Sequence, residues 1–248
     1  MSALGLVHAL ERATLNALPS PRIAFDGPFV IRSFLGGTGR ANAACSLDPS
    51  PDPEMAVRVS RIAAHYRRLG LTPRIRSSPL DPCGLTDHLR EQGWEAVDES
   101  LVTCGPLAPL ANPDAAVEIL AAPDAAWLDV IGTVEYQSEA RRAEKLEAVP
   151  LFAIPAAWMV LRVDGVPAAV LSTTRDGEYC GLFDLAVRPE FRRRGLALRV
   201  IGVAAAWALE QGAAHIFAQV GAMNTASIRL QAGIGMEEKH RYRYFLQK

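Results

Sequence analysis

Leu185-Ala186-Val187-Arg188-Pro189-Glu190-Phe191-Arg192-Arg193-Arg194-Gly195-Leu196-Ala197 is the stretch on which the fold turns. It reads as the end of an apolar strand, a tight basic loop and the start of a helix. The first N–H groups of a helix have no partner within it and lie at the positive end of its dipole. Gly195 and Ala197 keep side-chain bulk away, so an anion can approach the backbone closely. Arg192, Arg193 and Arg194 add positive charge. Together these features make a cradle for a pyrophosphate. The plainer alternative is a solvated basic loop in which Gly195 serves only the turn.

Upstream, two apolar runs, Ala157 to Val163 and Val166 to Thr174, flank Asp164-Gly165, the dipeptide that a type I′ hairpin turn favours. Asp176-Gly177 repeats the signal before a third strand, Tyr179 to Val187. Downstream, Leu196, Val200, Val203 and Trp207 recur at spacings of 4, 3 and 4, one buried helical stripe, and Gly212 ends that helix. His215 to Val220 reads as a strand, so strand, helix and strand form a parallel right-handed crossover. Asn224 is placed to cap a short helix ending at Gly233, and Arg241 to Leu246 reads as a last strand.

Gly105 to Pro113 holds three prolines and a glycine, which neither a helix nor a central strand continues through, and it marks a linker. The domains expected are therefore residues 1–112 and 113–248. The first half echoes the second. Strands at Phe29 to Leu35 and Arg40 to Leu47 flank Gly36-Gly37-Thr38-Gly39. A helix follows over Pro53 to Leu69, with Met55, Val59, Ile62 and Tyr66 on one face. A strand at Arg74 to Ser77, a helix at Leu85 to Gln92 and a strand from Trp94 to Val102 complete the series. The loop before the first-half helix, Leu47 to Pro53, has three prolines without N–H groups and two aspartates that repel phosphate. It cannot cradle a pyrophosphate.

Arg192-x-x-Gly195-x-Ala197 after a strand ending Leu-Ala-Val resembles the acyl-CoA loop of the GCN5-related N-acetyltransferases (GNAT). The following helix, the strand at His215 and Asn224 fall where that family has them, so the resemblance covers residues 115–248. It implies a mixed α/β sheet (α+β class) with the GNAT fold in the C-terminal half. The N-terminal half, with Gly39-Arg40-Ala41-Asn42-Ala43, resembles the smaller degenerate copy of tandem members. The implied reaction moves an acetyl group from acetyl-CoA, the cosubstrate, to a primary amine by direct attack, with no metal. The alternative is a non-catalytic CoA-binding sensor or partner-binding module. The resemblance also assigns positions. Amides from Arg193 through Arg194, Gly195, Leu196 and Ala197 to Leu198 hold the pyrophosphate beside Arg192. Leu185, Ala186 and Val187 offer their backbone to the pantetheine arm, and the splay towards His215–Val220 admits the thioester. Asn224 touches the arm, caps the helix, or does both.

One position departs from the family. Asn224-x-x-Ser227-x-x-Leu230 is followed by Gln231 where the family often has a tyrosine that protonates the leaving thiolate. A glutamine only donates a hydrogen bond. A thiolate whose thiol pKa is near 8.5 can leave without full protonation, so the glutamine does not exclude activity. Ser227, Tyr179, Tyr242 and Tyr244 are the candidate substitutes. An alkylammonium near pKa 10.4 needs a base, and Asp184, inside the third strand, and Glu178, at its start, are the candidates.

Half of the 248 residues are hydrophobic and 21% are charged, enough apolar matter for large cores. Lysine plus arginine (26) nearly balance aspartate plus glutamate (27), which argues against a nucleic-acid binder or a partner of anionic membranes. The four cysteines, Cys45, Cys83, Cys104 and Cys180, show no metal or pairing pattern and read as free buried thiols in a cytoplasmic protein. The five histidines lack ligand spacing. Gly36-Gly37-Thr38-Gly39 lacks the Gly-Lys-Ser/Thr of a phosphate loop and reads as a hairpin turn, and no Gly-x-Ser-x-Gly is present. Trp127 to Pro155, where acceptor specificity belongs, carries no readable code. A small-molecule or peptide amine is the expected partner. Oligomeric state is open, a homodimer being one option.

Overall fold

Turn chemistry sets most strands beside their sequence neighbours, and the computed structural model, which describes residues 2–134 and 137–248, joins the strands into one eleven-stranded mixed sheet. The first half contributes α1 (Ala3–Ala17), β1 (Arg22–Asp26), β2 (Phe29–Ser33), β3 (Ala44–Ser46), α2 (Met55–Arg68), β4 (Arg74–Ser77), α3 (Leu85–Glu91) and β5 (Glu95–Pro106). The second contributes β6 (Val117–Leu120), α4 (Ala125–Ile131), α5 (Glu139–Glu147), β7 (Ala156–Val163), β8 (Val166–Asp176), β9 (Tyr179–Val187), α6 (Leu196–Glu210), β10 (His215–Gly221), α7 (Thr225–Gly233) and β11 (Glu237–Leu246). The order across the sheet is β1-β2-β3-β4-β11-β5-β10-β9-β8-β7-β6. Each half thus gives its last strand away. β11 lies between β4 and β5, and β5 lies between β11 and β10. Neither half closes its own sheet with its own strands.

Asp164 and Gly165 both have positive φ, 51° and 80°, as a type I′ turn requires. The second hairpin differs by one residue. Asp176 pairs with Tyr179, so the turn is centred on Gly177-Glu178, and of these Gly177 takes the positive φ of 57°. The proline-rich break also starts later than its composition suggests. β5 runs through Gly105 to Pro106, which faces His215, and the main chain resumes donation at once from Leu107 N to the Ala214 carbonyl at 3.0 Å. Pro106 is tolerated because it is the strand's final residue. A Cβ on Gly105 would stand 2.5 Å from the Gly235 carbonyl oxygen. Overpacking of this kind costs about 1–3 kcal/mol. Gly105→Ala should therefore lower the midpoint of thermal unfolding by roughly 2–10 °C.

Alternation along the strands feeds two faces. Leu196, Val200 and Val203 of α6 pack on Met159, Leu171, Leu182 and Ile216, with Trp207 at the rim. On the other face, Trp127 and Leu128 of α4 pack on Trp158, Val160 and Val170. Leu10, Ala13 and Ala17 of α1 pack there too, on Val102, Tyr179, Phe183 and Phe217. The N-terminal helix therefore covers strands of the C-terminal half. In the first half, Val59, Ile62 and Tyr66 of α2 bury against Phe29, Ile31 and Ile75, together with Phe245 from the exchanged β11.

A buried ionic cluster ties α1 to β4 and β11. Both Arg76 Nη atoms donate to Glu11, and His240 Nε2 lies 2.6 Å from Glu11 Oε1. Burial acts to raise the Glu11 pKa, but Arg76 and His240 outweigh it and hold the carboxyl at about 2. Its folded value is thus depressed, so the stability it contributes is present above the ordinary carboxylate range and is lost as the pH falls towards 2. The shift corresponds to roughly 3 kcal/mol. Chemical denaturation between about pH 5 and 2.5 should show this loss in the native protein and a shallower one in Glu11→Gln, which has no carboxyl to titrate.

The cysteines are free; Cys45, Cys104 and Cys180 are buried as expected, whereas Cys83 is exposed just before α3. Among the described residues no helix is long and apolar enough to cross a membrane.

Candidate active site

The centre of the sheet opens because its two sides follow different partners. β9 and β10 pair in parallel from Tyr179↔His215 to Leu182↔Ala218, and the ladder ends there. Beyond that point β10 stays with β5 (Gln219↔Val102 to Gly221↔Ser100), while β9 stays with β8. The facing edges of Phe183–Val187 and Gln219–Gly221 are left without a strand between them.

A bulge sits at the mouth of this opening. Asp184 and Leu185 together oppose the single residue Leu171 on β8, and Asp184 has φ +53°, a position more usual for glycine. The bulge resets the alternation. Cys180 and Leu182 face α6 before it, and Leu185 and Val187 do so after it. The Asp184 side chain is thereby aimed into a cavity. Buried Trp127 donates its indole N–H to the Leu171 carbonyl at 3.1 Å, filling an acceptor beside the irregularity.

The cavity has a volume of about 400 Å³ and lies between the halves. Asp184, Leu185, Asn224 and Ser227 line it from the predicted set, with Gln231. Leu18, Phe34, Thr38 and Arg40 line it from the first half, and Arg141, Glu144, Lys145 and Phe152 from the segment around α5. Lys145 Nζ donates to Asp184 Oδ1, and Ser172 Oγ donates to Oδ2 at 3.2 Å. Burial pushes the Asp184 pKa upward, but the Lys145 ammonium, its hydrogen bond and the Arg40 charge prevail and keep it below the usual value. Asp184 is an ionised, ion-paired carboxylate.

Glu178 stands elsewhere. It is an exposed residue outside the cavity, at the end of β9 remote from the bulge, with its Oε2 3.6 Å from His215 Nε2. The strand direction explains this, since Glu178 precedes the paired stretch and Asp184 follows it. None of the three candidate tyrosines lines the cavity. Tyr179 packs under α1, and Tyr242 donates its hydroxyl to Gln219 at 3.2 Å. Tyr244 is buried in the same core as Tyr179. At the departing position, Gln231 is buried and bonded at both ends of its amide. Its Oε1 accepts from Thr103 Oγ1 at 2.8 Å, and its Nε2 donates to Ser227 Oγ at 3.3 Å. Ser227 therefore keeps its own O–H proton to donate.

Gly195 has φ +74° and opens α6 as its cap, with no atom within 4 Å of the place a Cβ would take. Arg193 also has positive φ, 63°. Residues 192–195 are exposed, and Leu198 N and Arg199 N both turn back to the Gly195 carbonyl. Among the described residues no acceptor takes the amides of Arg193, Arg194, Gly195, Leu196 and Ala197. Leu196 anchors the turn in the core, while Leu198 is exposed. Arg192 turns back, its Nε donating to the Val187 carbonyl at 3.2 Å, so that carbonyl is already occupied. Arg194 stands 5.6 Å above the Phe191 ring. Ala186 faces the α4 side. The Asn224 side chain accepts from Ser227 N at 3.1 Å, which makes it the cap of α7 as well as a cavity residue.

Sequence reasoning missed α4 and α5. Their signals were the caps Asp124, which accepts from Trp127 N at 2.7 Å, and Ser138, which accepts from Arg141 N at 3.3 Å. It also underread the glycine loop after β2. Glu144 Oε1 accepts from Leu35 N (3.2 Å), Gly37 N (2.8 Å) and Asn42 Nδ2 (2.7 Å), and Oε2 accepts from Thr38 N (2.6 Å). The loop is an anion nest, and its anion is a buried carboxylate of the other half. A Cβ on Gly37 would lie 2.7 Å from Arg141 N, so only glycine lets α5 dock this closely. Gly39–Ala41 is accordingly a short 3-10 turn, and β3 starts only at Ala44 rather than at Arg40.

An anion-ready helix start leading into a splayed pair of strands has counterparts among known proteins. The chain matches over residues 6–245 the family model described as "Probable histone acetyltransferase Rv0428c C-terminal". It is 26% identical over 249 residues to the uncharacterized N-acetyltransferase YobR of Bacillus subtilis (strain 168), covering 96% of this chain and 98% of that one. A GCN5-related N-acetyltransferase from Kribbella flavida has the same fold, with a TM-score of 0.73 at 19% identity over 97% of this chain and 95% of its own. A tandem GNAT protein from the clavulanic acid biosynthesis pathway superposes with a TM-score of 0.65 at 13% identity over 98% of this chain and 87% of its own. The sheet, the site and these relatives agree, and the chain belongs to this acetyltransferase family as a GNAT-type N-acyltransferase.

Proposed function

We propose that the protein transfers an acetyl group from acetyl-CoA to a primary amine within a ternary complex. The observation that carries this reading is the run of unpaired amides at the open start of α6, continuous with the parted edges of β9 and β10. The pyrophosphate of CoA fits the first. The amide-bearing pantetheine arm fits the second, as an added strand would. The thioester then meets the cavity near the bulge. The amine lone pair attacks the thioester carbonyl, the C–N bond forms and the C–S bond breaks. Asp184 receives the ammonium in place of Lys145 and takes its proton. The leaving thiolate is met by the Ser227 hydroxyl, which Gln231 orients from behind. Positioning and hydrogen bonding supply most of the acceleration.

Residues 1–112 act as the acceptor-side wall. Their own helix-leading loop is closed to phosphate, since Asp48 holds Ser50 N and Asp52 holds Arg58.

The test follows free thiol release from acetyl-CoA across a panel of amines. Turnover with at least one amine class is expected. Tight acetyl-CoA binding without turnover on any amine would instead favour a sensor or partner-binding module. Ser227→Ala should lower kcat about tenfold with little change in KM for acetyl-CoA. An unchanged kcat would remove the hydroxyl from the mechanism.

A further inference from the structure

We propose that the acceptor is a small molecule carrying a carboxylate as well as its amine, and that Arg40 receives the carboxylate. This rests on the acetyl-transfer reading above and names the substrate class of the same site.

Most of the cavity's charged groups already have partners, Arg141 donating from Nε to the Gly37 carbonyl at 3.1 Å. The Lys145 ammonium pairs with Asp184, and the Glu144 carboxylate is satisfied by the loop amides and Asn42. Arg40 lines the cavity from the opposite half, and among the described residues no carboxylate pairs with it. Among the described residues its side-chain hydrogen bond is a long one, 3.4 Å from Nη1 to Gln219 Oε1, an oxygen that already accepts from Tyr242. A guanidinium has five donors in a planar fork that matches a carboxylate. Its position is nevertheless built. The Arg40 carbonyl accepts from the buried Arg32 guanidinium at 3.0 Å, and the Arg40 guanidinium lies 5.6 Å from the centre of the Phe183 ring. Asp184 feels its charge only through space, and among the described residues no carboxylate bonds it. A half-buried cation held in place in this way is a site for a ligand's anion.

Lys145 marks the other end of the ligand. Its alkylammonium lies on Asp184, the arrangement that an acceptor's ammonium would adopt on displacing it. Phe183 beneath Arg40 and Asp184 beneath the ammonium are consecutive residues, so the two subsites are neighbours. A short amino acid spans them. The cavity of about 400 Å³, part of which the thioester end must enter, suits a molecule of that size.

The experiment uses the full chain saturated with acetyl-CoA. Acceptors are ω-amino acids from glycine to 6-aminohexanoate and common α-amino acids, each paired with its primary carboxamide, plus a lysine peptide blocked at both ends. The native protein should prefer the best acid over its amide by about 30-fold in kcat/KM, mainly through KM. Arg40→Gln should collapse that ratio to about 3-fold or less, and Arg40→Lys should recover part of it. Calorimetric titration with acetyl-CoA and a melting curve accompany each variant. If a variant fails to fold, the acid-to-amide ratio of the native protein decides alone. Equal use of acids and amides, or preference for the blocked peptide, overturns the carboxylate site and leaves acetyl transfer standing. Acetyl-CoA binding with no turnover on any acceptor overturns both.

Discussion

On the proposed acetyl-CoA reading, Gly195→Asp should weaken acetyl-CoA binding by about 100- to 1000-fold, measured by calorimetric titration. The new carboxylate would stand at the cap of α6, in the open space above the glycine, where the unpaired amides gather. Two unit charges about 4 Å apart at an effective dielectric near 20 repel by about 4 kcal/mol. The substitution also asks an L-residue to keep φ at +74°. Gly195→Ala imposes that strain without the charge and should cost far less affinity. Equal losses in the two variants would assign the effect to backbone strain, and undiminished affinity in Gly195→Asp would place the pyrophosphate elsewhere.

Glu144→Gln destabilises the protein by about 3 kcal/mol, seen as a fall of roughly 6–12 °C in the unfolding midpoint. Both carboxylate oxygens of Glu144 receive N–H donors, Oε1 from Leu35, Gly37 and Asn42 and Oε2 from Thr38. A glutamine must turn its NH2 group towards one of those sets, donor against donor, in a buried site. This isosteric change is therefore not conservative here. It should also raise KM for the amine more than KM for acetyl-CoA. The Glu144 contacts set α5 over the acceptor side of the cavity, whereas the start of α6 lies outside it. A melting curve identical to that of the native protein would show that the halves do not depend on this contact.

From β7 onward the C-terminal half was legible because its signals are local. Asp164-Gly165 encodes positive φ at both positions, the Leu196 stripe encodes a face, and Asn224 encodes a cap. The glycine cap and unpaired amides between Arg193 and Ala197 were legible for the same reason, since they need no distant residue to form. Local signals also misled. Asp176-Gly177 suggested a turn centred one residue early, because the register with Tyr179 is set by the whole of β8 and β9. Glu178 and Asp184 looked equivalent as bases. The bulge and the end of the β9–β10 ladder separate them, and both depend on how three strands share one sheet.

The chain's order of amino acids was sufficient for α2, α3, α6, α7 and most of the strands, for the glycine turn with unpaired amides that opens α6, and for the absence of such a start in the first half, while α1, α4 and α5 went unread. Backbone propensity and hydrophobic period act within a few residues, so those features needed nothing further. Only the folded molecule decided that β5 and β11 change places, that α1 lies across the second half's strands, and that Glu144 and Arg40 reach one cavity from opposite halves. Each of these joins residues about a hundred or more positions apart. Their pairing is chosen by which buried surfaces and charges satisfy one another in three dimensions, and no spacing along the chain records that choice.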